Sequence, residues 1–252
     1  MKEPLSYTTT VMSWNFLLSS FKRAEAAASA NGKIDLNLEA PSSIVLCCIS
    51  IEAFCNEISS LSRAFLFDHE KEMIPSWTDF AGISYENLNT LSAISEDSSG
   101  SFYDRYKRTN RLIVEKSPGF MADLVHLRDL RDSLVHFRFC DVPIKQEEDG
   151  VIRSAQESPA VLHALKNRRI SGKPVISAGK GEEWTLRIST SAMANWALDL
   201  TCQAILYLLD SLPDGCFQKF VLERYRPRDR GYRDLYSKAK YDVGAWGREV
   251  LG

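Results

Sequence analysis

The sequence predicts an all-α bundle of four or five long helices, with a small strand-and-loop insertion before the last long helix. Three observations carry this. Segments 41–67 and 190–213 are apolar around much of a helical circumference, as expected of helices inside a bundle. Further runs of helix-forming residues end at Gly, Pro and Ser punctuation, as in "FKRAEAAASA" before Asn31-Gly32 and "SPG" at 117–119. From Cys140 to Ser189 turn residues alternate with short β-prone runs.

In chain order, a first helix falls within residues 5–30 and stops at Asn31-Gly32. Pro41, followed by the capping candidates Ser42 and Ser43, opens a second that holds helical spacing to about Phe67. Residues 68–100 are broken by Pro75, Gly82 and "SEDSSGS", with one short helix near Tyr85–Ile94. A third long helix spans Phe102–Lys116 and a fourth spans Phe120–Phe139. The 140–189 insertion carries a small helix near Ser158–Asn167, with "EEWTLRIST" reading as a strand. The last long helix begins near Thr190 and stops by Pro213. This divides the chain into a bundle (1–139 with 190–213), an insertion (140–189) and a basic, aromatic C-terminal tail (214–252).

The 252 residues, 44% of them hydrophobic, suffice for a real core. A net charge of -2 excludes a uniformly basic nucleic-acid coat but allows a local basic patch. The six cysteines, Cys47, Cys48, Cys55, Cys140, Cys202 and Cys216, form no CxxC pair, which suits reduced, buried thiols better than a disulfide or zinc framework. The N-terminal "MKEPLSYTTTVMSWNF" lacks a long apolar region, and no uninterrupted apolar run approaches membrane-spanning length. A soluble, cytoplasmic protein with no membrane partner is therefore expected.

The fourth helix contains "LRDLRDSLVHFRF", residues 127–139. At about 100° per residue, Leu124, Leu127, Leu130, Leu134 and Phe137 form its core stripe, and Arg131 intrudes on that stripe at about 40° from Leu127. A guanidinium there must snorkel outward or face a group that wants a cation. Arg128, Asp132 and His136 form an i, i+4, i+8 row in which Asp132 is placed to orient the imidazole. Arg131 and His136 stand about 140° apart around a regular helix, so a shared cleft requires a second copy packed across it. Surface salt bridges explain the same charges without any chemistry.

Arg131-Asp132-Ser133-Leu134-Val135-His136 resembles the arginine–polar–three residues–histidine pattern of the HEPN superfamily of helical prokaryotic toxins and defence nucleases. "SIEAFCNEI" at 50–58 is similar to second-helix segments of that superfamily, and the helix after the insertion matches its last helix. The resemblance covers about 5–139 and 190–213 and implies metal-independent RNA cleavage in a homodimer. It implies a ribose 2'-hydroxyl as nucleophile, Arg131 stabilising the phosphorane charge, His136 as general acid or base and Asp132 orienting it. A supporting carboxylate comes from the second helix in some members, a role open to Glu52 or Glu57, which with Asn56 make a polar island. A salt bridge from Glu52 to a core arginine, Arg131 included, accounts for the island equally well.

No cofactor or metal is expected, since His69, His126 and His163 lack partners at ligand spacing and "GKGEEW" lacks phosphate-loop spacing. In the tail, Arg224, Arg226, Arg228, Arg230 and Arg233 interleave with Tyr225, Tyr232, Tyr236 and Tyr241, a composition suited to single-stranded RNA. The alternative is a tail docked on the bundle by its tyrosines. Two functions follow as expectations: an endoribonuclease of a toxin-antitoxin or antiviral system, with RNA and a cognate antitoxin or regulatory protein as partners, or a non-catalytic HEPN-like module that binds a partner protein or nucleotide.

Overall fold

Helix α2, Glu39–His69, is the axis of the protein. The computed structural model describes residues 12–29, 39–69, 76–97, 100–114, 116–136, 144–146, 152–154, 158–177 and 184–239, with the backbone alone described for 144–146, 152–154, 226–232 and 235–239. At about 1.5 Å per residue, α2 runs through the core and buries Ile44, Cys47, Cys48, Ile51, Phe54, Cys55, Ile58, Leu61 and Phe65 on several sides. Its principal neighbours are α1 (Met12–Ser29), α4 (Tyr85–Ser92), α5 (Phe102–Ile113), α6 (Met121–Val135) and α9 (Ser191–Asp210). The described residues form an all-α bundle whose strands are two minor hairpins, β1 (Ile144–Gln146) with β2 (Ile152–Ser154), and β3 (Arg169–Ile170) with β4 (Lys173–Pro174).

Local chemistry sets the helix starts. The Ser84 hydroxyl accepts from the Asn87 amide at 3.1 Å to open α4, and Thr190 accepts from Met193 at 3.0 Å to open α9. Ser101 and Asp104 form a reciprocal capping box at α5. Small residues let α1 approach α2 closely: Ser13, Ser20, Ala24, Ala27, Ser43 and Ser50 are all buried in the two helices. The buried hydroxyls are satisfied, with Ser50 donating to the Ser13 carbonyl at 2.8 Å and Ser20 lying 2.9 Å from both Ser43 Oγ and Cys47 Sγ.

Several expectations change here. The tail is a long helix, α10 (Cys216–Ala239), because Phe217, Val221 and Tyr225 fall at i, i+4, i+8 and bury a continuous stripe. "WTLRI" is not a strand but a short helix, α8 (Trp184–Ile188), with Trp184 and Ile188 buried. The insertion, read from the sequence as strands and loops, also contributes to the core: Val161, Leu162 and Leu165 of α7 (Val161–Leu165), with Val175 and Ile176, join it. The helix carrying the charged stretch ends at Val135, and residues 137–139 lie outside the described set. By length and composition alone α2 and α9 could cross a membrane, and 61% and 83% of their apolar windows are buried inside the bundle. A short additional helix, α3 (Trp77–Ala81), ends at Gly82, whose φ of 81° and contact with the backbone at Asp214 leave no room for a Cβ.

Glu57, buried in α2, joins three helices. Its Oε1 accepts the backbone amides of Met12 at 2.5 Å and Ser13 at 2.8 Å, at the start of α1, and its Oε2 accepts the Ser13 hydroxyl at 2.7 Å. The Tyr225 hydroxyl of α10 donates to the same Oε2 at 2.5 Å. A carboxylate at a helix N-terminus meets orphan amides and the positive end of the helix dipole together. Glu57→Ala removes the buried acceptor shared by these donors and is expected to cost roughly 3 to 5 kcal/mol in chemical denaturation, against roughly 1.5 to 3 kcal/mol for Tyr225→Phe. Equal stability of wild type and Glu57→Ala would remove the carboxylate from this role.

Candidate functional site

Helix α6 buries Leu124, Leu127 and Leu130 against the bundle, and Leu134 is half-buried against the same core. The Cys48 thiol of α2 points to the Leu127 carbonyl at 3.9 Å, where the two helices meet. Arg131, one residue beyond this stripe, keeps 34% of its side chain exposed and donates from Nη1 to Asp132 Oδ1 at 2.8 Å. It therefore snorkels from the edge of the core toward solvent. His136 is exposed and forms the C-cap of α6, its amide donating to the Asp132 carbonyl at 2.9 Å.

The row of Arg128, Asp132 and His136 is paired differently from the sequence expectation. Arg128 donates from Nε and Nη2 to Asp129 Oδ1 at 2.9 and 2.7 Å, and its guanidinium carbon lies 5.4 Å from the centroid of the Tyr103 ring in α5. Asp132 turns to Arg131, and no side-chain bond joins it to His136 among the described residues. The Asp132 carboxylate is taken by the neighbouring Arg131, and His136, at the C-cap, is held to Asp132 only through its backbone amide. The two arginines thus form sequential ion pairs, while the imidazole is left to solvent.

The polar island of α2 splits. Glu52 pairs with Arg105 of α5 at 3.3 Å, not with Arg131. Arg105 also donates to Asn56 Oδ1 at 2.8 Å and to the Asp97 carbonyl at 3.0 Å. Glu57 points instead to α1 and α10, so neither carboxylate is paired with the Arg131 and His136 end of α6. Arg105 and Tyr103 carry weight that sequence reasoning missed. The available signal was Arg105 sitting at i+3 from Phe102, inside the stripe Phe102, Tyr106, Thr109 and Ile113 that α5 buries.

The basic, aromatic segment is divided as well. Tyr225 is fully buried and its ring lies 5.5 Å from Phe54, while Arg224 is exposed over Phe220 at 5.7 Å. Arg233 pairs with Asp210 of α9. The side chains of Arg226, Arg228, Arg230 and Tyr232 lie outside the described residues. Helix α10 docks on α9, α2 and α3, whereas α6 docks on α2, α5, α7 and α9. The docked-tail alternative therefore holds for Tyr225, which anchors α10 to Glu57.

Among the described residues no three His, Cys, Asp or Glu side chains come together in a way that would hold a metal ion. Burial pushes the Cys47 thiol up to about 11 and the Cys55 thiol up to about 12 from an ordinary 9.0, and raises Cys48 and Cys202 well above it. These thiols stay protonated at neutral pH and are poor nucleophiles.

Two outcomes test these assignments. Arg105→Ala leaves Asn56 and the Asp97 carbonyl without their donor and is expected to cost roughly 3 kcal/mol in denaturant, whereas Glu52→Gln, at a carboxylate about one-third exposed, changes stability little. Thiol reagents at neutral pH are expected to modify the half-buried Cys216 before the four buried cysteines, which react only on unfolding. Because the folded-state thiol values lie above the unfolded ones, their contribution to stability is intact below pH 9 and is lost as pH rises through about 11 and 12. A scan against protein-family models, a search of curated proteins and a search of solved structures each return no match to this chain.

Proposed function

We propose that the chain is a metal-independent endoribonuclease of the HEPN type, acting in the cytoplasm as a homodimer within a toxin-antitoxin or antiviral system. The observation that carries this reading is the placement of Arg131 and His136 in the last turn and at the C-cap of α6. The arginine is half-buried and braced by Asp132, and the histidine is exposed at the cap one turn beyond. Beside them Val135 exposes 49% of its surface.

In the proposed reaction a ribose 2'-hydroxyl loses its proton to a base and attacks the adjacent phosphorus. The bond from phosphorus to the 5'-oxygen breaks, that oxygen takes a proton, and a 2',3'-cyclic phosphate remains. His136 from the two copies supplies the proton acceptor and donor, since an imidazole exchanges protons near neutral pH. Arg131 offers planar donors to the charge on the equatorial oxygens. Asp132 serves the arginine in this scheme, and His136 takes its orientation from the helix end and the partner copy.

A second reading, a non-catalytic module binding a partner protein or nucleotide, draws support from the pairing of Asp132 with Arg131 and the absence of a carboxylate on His136 among the described residues. The two readings part on one experiment. Incubated with defined single-stranded RNAs in EDTA, the purified dimer is expected to leave cyclic-phosphate ends, and Arg131→Ala and His136→Ala are each expected to lose at least about 100-fold in rate while remaining dimeric in sedimentation. A well-folded dimer without cleavage activity would overturn the ribonuclease reading and leave the binding module.

A further inference from the structure

Arg128 lies one helical turn before Arg131, at i−3, on neighbouring positions of the same helix surface. One side of its guanidinium is covered by the Tyr103 ring, 5.4 Å away, and 29% of its side chain remains open to solvent. Two of its donors are committed to Asp129 Oδ1. The charges of Asp129, Asp104 and Asp132 all act on its own. A phosphate brought here meets the carboxylates of Asp129 and Asp104 and a guanidinium already held by two bonds, whereas Arg131 gives one donor to Asp132. An uncharged aromatic ring meets no such repulsion and finds a polarisable plane already backed by an aromatic.

We infer that the Tyr103–Arg128 pair is a stacking platform for a nucleobase of single-stranded RNA, adjacent to the site at Arg131 and His136. The inference rests on the ribonuclease reading for its substrate class and deepens it by separating two jobs among the arginines. Arg131 faces the phosphate, and Arg128 faces a base. Guanidinium planes and aromatic rings are the surfaces on which unstacked RNA bases are held. Asp129 fits as a positioning residue, because its two hydrogen bonds hold the guanidinium of Arg128 over Tyr103. The platform also makes Tyr103 a binding residue contributed by α5, the neighbour of α6.

The test uses the full chain and a 2'-O-methylated single-stranded hexamer containing 2-aminopurine, which binds without forming a cyclic phosphate and loses fluorescence when its base is stacked. The native chain is expected to quench it. Arg128→Ala and Arg128→Lys are each expected to weaken binding about tenfold, since neither keeps the plane, with the salt dependence of binding unchanged. Arg131→Ala is expected to lower the log–log salt slope by about 0.7 while quenching at saturation persists. Arg128→Lys keeps charge and stem, so the comparison stands even if Arg128→Ala is unstable, and thermal melting of each variant checks the fold. Native binding by Arg128→Lys would overturn the platform in favour of a phosphate clamp, and absence of quenching by the native chain would overturn it outright. Quenching without cleavage of unmethylated RNA retains the platform and removes the ribonuclease reading; cleavage without quenching does the reverse.

Discussion

The buried carboxylate of Glu57 is the constraint on which the arrangement of helices depends. A charged group in the interior is tolerated only when donors surround it, and here the donors come from two other helices: the first turn of α1 and the Tyr225 hydroxyl of α10. One side chain of α2 therefore fixes where α1 begins and where α10 lies. Hydrophobic burial supplies most of the driving force, but it is non-directional. The hydrogen bonds at Glu57 select one register of α1 and α10 on α2 from the many that apolar contact allows.

With α1, α9 and α10 held on α2, the remaining surface of α2 is taken by α4, α5 and α6. Helix α6 spends Leu124, Leu127 and Leu130 on that contact and then runs out of buried positions. Arg131 to Leu134 of its last turn are half-buried, and Val135 and the cap His136 are exposed. The same packing that makes the bundle stable thus places a half-buried arginine and an exposed histidine at the C-terminal end of α6. Arg105, drawn inward by Glu52, Asn56 and the Asp97 carbonyl, shows the opposite outcome for an arginine on the adjacent helix: it is spent on joining α5 to α2.

Charge on α6 is organised in adjacent pairs. Residues i and i+1 point about 100° apart on a helix, so the Arg128–Asp129 and Arg131–Asp132 bonds draw each guanidinium sideways rather than along the helix axis. For Arg128 this coincides with its position over Tyr103, and for Arg131 with its emergence from the core edge. Two arginines three residues apart consequently have different surroundings, one aromatic and acidic, the other beside the exposed cap.

The sequence by itself determined the helices and their apolar stripes, because spacing near 3.6 residues and capping side chains are local properties. Residues 41–67, 102–116 and 190–213 correspond closely to α2, α5 and α9, and the intrusion of Arg131 on the apolar stripe is matched by its half-burial. The tertiary structure decided the partners. The tail became α10 because Phe217, Val221 and Tyr225 found a core to bury in, and "WTLRI" became helical where its neighbours gave Trp184 and Ile188 an interior. Glu52 met Arg105 rather than Arg131, and Asp132 met Arg131 rather than His136, since each choice depends on what a neighbouring helix or a helix end places within about 3 Å. Periodicity specifies which way a side chain leaves its own helix; only packing specifies what stands there to receive it.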